Sequence, residues 1–277
     1  MQYLIATTFE VVHYIALQTV HYKPLQEVHL SRYNHLNISE KDFSASKCIQ
    51  KFLPLERALQ LLDTKKLWFS NPAKWPDPFK RRFVDGIYPN KKEFTWYGRV
   101  YCMCVTNVAT SEASWKAYSD KDLAVKLEFD RNEYADILEK AVLQPGVMDV
   151  FVGQMDYKQT KDIEMPLSKI TFKDSAKLRI NSKLFKARLL LLKRKTFKYE
   201  SEFRTIIVKN KKSAADGITI DIPDILLLVR TVIIGPTVGD EEYAMIRQYI
   251  ANRYHFPSNK IMRSDLYREI KHPTIKI

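Results

Sequence analysis

Lys198-Tyr199-Glu200-Ser201-Glu202-Phe203-Arg204-Thr205-Ile206-Ile207-Val208 is the stretch on which the reading of this chain turns. Its second half is apolar and β-branched, which predicts a core strand. Side chains alternate between the two faces of a strand. A strand running through the whole stretch places Glu200, Glu202 and Arg204 on one face, and Tyr199, Ser201 and Phe203 on the other. Two carboxylates and a guanidinium at the edge of a core are costly unless paired or used. The residues alone leave two readings: an Arg–Glu pair that fixes strand register, or a catalytic Glu-x-Glu pair.

The rest of the composition bounds these readings. A chain of 277 residues with 45% hydrophobic content can build one large domain, or one domain with an extension. Glycine is scarce, at 7 residues, and neither a dinucleotide fingerprint nor a P-loop occurs. The net charge of +13 points toward polyanions such as nucleic acid, or toward an acidic protein. The positive residues form short clusters at Lys65-Lys66, Lys80-Arg81-Arg82, Lys91-Lys92, Lys193-Arg194-Lys195 and Lys209/Lys211-Lys212. Such clusters suit a diffuse phosphate-tracking face rather than a sequence reader.

Three cysteines, Cys48, Cys102 and Cys104, suit a reducing compartment, and no histidine near them in sequence completes a zinc site. Cys102 and Cys104 read as small apolar residues on one strand face. No metal is expected. The first residues lack a basic segment, and Glu10 interrupts their apolar run, which makes a poor signal peptide. No run of about 18 apolar residues predicts a membrane span. The expected location is the cytoplasm.

Residues 1–45 carry four of the six histidines, His13, His21, His29 and His35, and no glycine. They read as an N-terminal extension or partner-docking element, with the main domain at 46–277. Strands are expected over 47–52, 67–69, 99–105, 123–129, 147–157 and 229–234. Helices are expected after Pro54, and over 114–118, 131–143, 175–193 and 240–253. Ser70-Asn71-Pro72-Ala73-Lys74-Trp75-Pro76-Asp77-Pro78-Phe79 is a loop shaped by three prolines. Strands and helices do not alternate regularly, so the expected class is α+β.

Several of these pieces, in this order, match a family pattern. They are Lys51-Phe52, Leu67-Trp68-Phe69-Ser70-Asn71-Pro72, Asp77-Pro78-Phe79, and Trp115 with Tyr118 ahead of Leu127-Glu128-Phe129. Tyr199-Glu200-Ser201-Glu202-Phe203-Arg204 and Ile234-Gly235-Pro236 complete the set. On them the chain resembles a large, mostly bacterial domain-of-unknown-function family often found near phage-defence genes. The resemblance covers roughly residues 47–250. Leu53, Pro76 and Lys80 stand where that family usually has an arginine, an asparagine and an acidic residue, so contacts there would differ from those of relatives. The order of parts also resembles an ADP-ribosyltransferase fold, a split mixed/antiparallel β core flanked by helices.

That second resemblance implies NAD as co-substrate and a toxin or antiphage effector held off by an antitoxin or chaperone. It assigns Glu202 to orienting the ribose hydroxyls and stabilising positive charge. Glu200 would orient or deprotonate the acceptor. Arg204 would pair with a glutamate or hold a phosphate. Lys51, Ser70, Asn71, Trp115 and Tyr118 would line the NAD site. Each has a plainer alternative: Trp68, Phe79 and Trp115 as core, Lys51 as a solvated lysine, Asp77 as a turn former. The charge suggests RNA or DNA as acceptor, with RNA favoured. Two other functions compete with this one. The first is a non-catalytic nucleic-acid-binding module with a structural Glu/Arg network. The second is a metal-dependent nuclease gathering Asp77, Glu128 and Glu202.

Overall fold

A computed structural model describes residues 33–37, 48–75, 99–107, 111–117, 123–163 and 183–268. In chain order the strands are β1 (Asn34–Leu36), β2 (Cys48–Pro54), β3 (Lys66–Ser70), β4 (Val100–Thr106), β5 (Ala124–Asp130) and β6 (Val147–Gln154). They continue with β7 (Asp156–Lys158), β8 (Leu192–Arg194), β9 (Glu202–Lys209), β10 (Gly217–Asp221), β11 (Val229–Ile234) and β12 (Ile261–Arg263). The helices are α1 (Leu55–Thr64), α2 (Glu112–Lys116), α3 (Arg131–Val142), α4 (Lys183–Leu190), α5 (Ile225–Leu228) and α6 (Asp240–Tyr254). The protein is α+β, with mixed parallel and antiparallel strand pairing and flanking helices.

The chain divides into two interleaved compact units. The first takes Met1–Ala45, Leu67–Thr106 and Ala135–Ile220. Its strands run in the order β1-β6-β9-β4. The β1/β6 pair is parallel, and β6/β9 and β9/β4 are antiparallel. β9 is the inner strand. Glu202 through Val208 are all buried, which is why the Ile206-Ile207-Val208 run is apolar on both faces. Ile206 and Val208 join Val100, Cys102 and Phe151 in a core closed by Ala187, Leu189, Leu190 and Leu191. Part of the segment read as an extension, Asn34–Leu36, is thus a strand of this sheet.

The second unit takes Ser46–Lys66, Asn107–Tyr134 and Asp221–Ile277. β2/β5 and β5/β11 pair antiparallel, and β11/β12 parallel. Pro54 precedes α1 as its cap residue, and Lys65 ends it in the left-handed conformation, φ 53°. Phe52, Trp115 and Ala124 form a small core, with Trp115 edge-on to Phe52 at 5.0 Å. β11 carries the exposed Arg230, which pairs with Asp130 at 3.2 Å, so it is not apolar throughout.

Three expectations are corrected. The expected strand over 147–157 is two strands, interrupted at Met155, whose side chain packs into the core. The expected basic helix ends at Leu190, and Lys193 belongs to β8. The expected early start of the strand at Glu200 fails because residues Lys195–Glu200 form a 3₁₀ turn. Tyr118, Pro76, Asp77, Phe79 and Lys80 lie outside the described residues.

Gly153 on β6 sits where a Cβ would lie 2.9 Å from the Leu36 carbonyl and against the Leu191 side chain. A Gly153→Ala variant is expected to lose about 1–3 kcal/mol by overpacking, read as a lower midpoint in urea. An unchanged midpoint would mean that β1 does not dock there.

Candidate active site: a carboxyl pair on a buried lysine

The site lies within the first unit, at the start of β9. The 3₁₀ turn ends at Glu200, and Ser201 follows with φ 41° and ψ 51°. Its backbone N–H donates to the Lys198 carbonyl at 3.2 Å, and its carbonyl accepts from Thr106 Oγ1 at 3.2 Å. A non-glycine residue in this conformation carries strain that its surroundings must hold. The turn, and not strand alternation, brings the two glutamates together. Glu202 and Arg204 do share a strand face, as expected; Glu200 is not on that strand.

β7 and β8 pair in parallel, with Tyr157 opposite Lys193. Lys193 is 2% exposed. Its ammonium lies 2.6 Å from Glu200 Oε2 and 2.8 Å from Glu202 Oε2. The two carboxyl groups therefore lie side by side on one ammonium, near enough for each to feel the other's charge. The Tyr157 hydroxyl accepts from the Glu202 backbone N–H at 2.9 Å. The glutamates differ in access: the Glu200 side chain is 15% exposed, that of Glu202 8%.

Arg204 braces the pair from the core side. Its Nε donates to Cys104 Sγ at 3.3 Å, Nη1 donates to the Leu190 carbonyl, and Nη2 lies 3.9 Å from Glu202 Oε2. Its guanidinium stacks over the Trp75 ring, 4.9 Å from the centroid. Trp75 Nε1 in turn donates to Ser70 Oγ at 2.8 Å, and Ser70 to the Cys102 carbonyl at 3.3 Å. Arg204 thus bonds protein acceptors through Nε and Nη1, while Nη2, buried without a hydrogen bond, faces Glu202 as an ion pair. Of the two roles expected for it, it makes the glutamate contact.

The electrostatics separate the two glutamates. Burial, and then the charge of Glu202, push the Glu200 carboxyl up to about 7, against the pull of Lys193. Burial acts in the same upward sense on Glu202, but Lys193 and Arg204 outweigh it and hold that carboxyl down at about 2. Burial opposes the charge on Lys193, and the two carboxylates more than restore it. Burial raises the Tyr157 hydroxyl, which stays neutral. One permanent anion thus sits beside one group that exchanges a proton near neutrality, the pattern of an acid–base pair.

Of the other residues expected at the site, Asn71 is buried and caps the Pro72–Lys74 turn, accepting from the Ala73 N–H at 3.0 Å. Its side chain also donates to the Ala215 carbonyl at 3.3 Å. Lys51 is half-buried on β2 of the second unit, and Trp115 belongs to that unit's core. Glu128, on β5 of the second unit, pairs with Lys126 at 3.3 Å. Lys193 and Tyr157 were not anticipated. In the sequence Lys193 reads with Arg194 and Lys195 as one short positive cluster. The signal in the sequence is that Lys193, alone of that basic string, directly follows the apolar run Leu189-Leu190-Leu191-Leu192. No family model, curated protein or solved structure matches the chain.

The raised Glu200 has a signed consequence for stability. The folded state holds its proton more tightly than the unfolded chain. This contribution is complete below the ordinary glutamate value, about 4.3, and is lost as pH rises through about 7. Glu202 acts oppositely: its contribution is present above about 4.3 and lost as pH falls toward about 2. Urea midpoints of the wild type relative to Glu200→Gln are expected to fall between pH 5 and 7.5. A constant difference would exclude a raised Glu200. Lys193→Met is expected to cost about 3–5 kcal/mol at pH 8, by leaving two carboxyls facing each other, with part recovered at pH 5.

Proposed function

We propose that the protein is an NAD-dependent ADP-ribosyltransferase that modifies nucleic acid, with RNA the favoured acceptor. The observation that carries this reading is the Lys193-bridged pair, in which Glu202 is held ionised and Glu200 titrates near neutrality.

The chemistry of the pair fits the ribosyl half of NAD. In the transfer, the bond between the ribose C1′ and the nicotinamide nitrogen breaks, and its electron pair leaves with nicotinamide. Positive charge develops on the ribose, and the Glu202 carboxylate stabilises it and orients the ribose hydroxyls. The acceptor oxygen bonds to C1′, and its proton passes to the Glu200 carboxylate. Lys193 and Arg204 keep Glu202 anionic, and Tyr157 fixes its backbone. The closeness of the two carboxyls keeps proton acceptor and charge stabiliser at one reacting centre.

The resemblance to a phage-defence family adds the biological setting: a toxin or antiphage effector restrained by an antitoxin or chaperone. Cys48, Cys102 and Cys104 form no disulfide, which suits the cytoplasm. Among the described residues, no helix is long and apolar enough to cross a membrane, and no group of three or more His, Cys, Asp or Glu gathers to hold a metal.

One observation favours a second reading. Glu202 is 6% exposed, and Lys193 and Arg204 both pair with it. A binding module with a purely structural ion network would look the same at this residue.

Nicotinamide release from NAD, with total RNA present, separates the two. The wild type is expected to release it with a rate that rises through pH 7, as Glu200 loses its proton. Glu202→Gln should fall by about 10²–10³-fold while remaining folded. Glu200→Gln should lose transfer by about 10²–10⁴-fold and lose the pH midpoint. No release by folded wild type, with RNA, DNA or lysate, establishes the binding-module reading. With labelled NAD, label on protein alone would remove nucleic acid as the acceptor.

A further inference from the structure

α6 is attached to the second unit by little of its surface. Of its 15 residues only Ile250 is buried, with Tyr243, Ile246 and Tyr254 half-buried at helical spacing on the same side. The opposite side faces solvent, where a surface helix is ordinarily polar. Here it carries Met245, 64% exposed, and Tyr249, 49% exposed, one turn apart. The same row of four-residue steps continues to Glu241 at one end and Arg253 at the other, both exposed. The row thus reads acidic, apolar, apolar, basic. Tyr249 stands edge-on to Tyr254, with ring centroids 6.3 Å apart. Arg253 is held by Asp63 of α1, to which its Nε and Nη2 donate at 3.1 and 2.9 Å. Both side chains are braced before any partner arrives, so ordering them costs little. A guanidinium has five N–H donors and can serve a second carboxylate beside Asp63.

This row is complementary to itself when reversed. Turned end for end about Arg247, it sets Glu241 against Arg253 and Met245 against Tyr249, and beside them Glu242 against Asn252. Residues four apart form one of the ridges by which helices pack, two such ridges crossing at about −50°. Met, Tyr and Arg are also the residues that interfaces concentrate. We propose that the outer face of α6 is a self-association surface, on which two copies of this chain pair antiparallel about a two-fold axis. Two-fold pairing needs a patch complementary to itself, and it closes at two copies. Met245 and Tyr249 of each copy leave water together at the centre, and two Glu241–Arg253 pairs flank them. A parallel pairing sets Glu241 on Glu241 and Arg253 on Arg253, so the charges select the antiparallel one. One helix face is a small interface, which places the association in about the micromolar range. The inference goes beyond the catalytic reading and does not depend on it.

The test is sedimentation velocity of the full chain over about 1–100 μM protein. The wild type is expected to pass from one copy to two as concentration rises. Met245→Asp/Tyr249→Asp should raise the dissociation constant by roughly 100-fold and leave a monomer over most of that range. Both side chains are exposed, so the urea midpoint of this variant should stay near that of the wild type. Leu143→Asp, at an equally exposed apolar residue of the first unit, should leave the association unchanged. Glu241→Arg and Arg253→Glu should each weaken pairing by about ten-fold. Arg253→Glu also gives up the Asp63 pair, an exposed contact that contributes little to the fold. An equimolar mixture of these two variants should recover the association, because every arginine then meets a glutamate across the axis. Wild type that stays monomeric throughout, pairing that survives Met245→Asp/Tyr249→Asp, or a mixture that recovers nothing overturns the surface.

Discussion

A single ammonium group, Lys193 Nζ, holds the candidate site together. It sits in the interior within 2.8 Å of two carboxyl oxygens that would otherwise repel each other. Buried charges are tolerated only as compensated sets. Here Lys193 and Arg204 balance Glu202 and the ionised form of Glu200. Removing any member leaves the others with an uncompensated charge, so the four act as a unit. A proton on Glu200 changes the charge of that unit by one. This is why a group at its edge is easier to protonate than an ordinary glutamate.

The surrounding fold exists to keep that unit in place. Ser201 takes a left-handed turn so that Glu200 can fold back onto Lys193, and Thr106 holds the Ser201 carbonyl. Tyr157 and Lys193 are neighbours across the β7/β8 pair, so one two-stranded element supplies both the ammonium and the hydroxyl that anchors Glu202. Arg204 links β9 to the end of α4 through Leu190, and to the β3 loop through Trp75 and Ser70. Loop residues that looked like ligand contacts in the sequence thereby act on Glu202 at one or two removes.

The same strand relates the site to the chain's charge. A surplus of +13 does not by itself say where a polyanion binds. In the first unit Lys193 and Arg204 face the glutamates in the interior, so their charge belongs to the site and is not presented to a polyanion, whereas Lys211 and Lys212 are exposed.

Much of the fold was legible because local physics dictates it. The apolar β-branched run after Arg204 makes β9, Pro54 precedes α1, and Asp130 caps α3 by accepting from the Asn132 N–H at 2.9 Å. The α+β class followed from the same pattern, and Glu202 and Arg204 share a face because a strand has period two. What the sequence alone did not determine was Glu200, Lys193 and Tyr157. Glu200 departs from the strand because of one backbone conformation at Ser201, a residue with no intrinsic preference for it. Lys193 reads as surface charge in the string Lys193-Arg194-Lys195, and only its placement beside two buried carboxylates makes an interior position affordable. A residue's type sets what it can do. Its protonation, its burial and its partner depend on groups far along the chain, and those are brought to it only by tertiary structure.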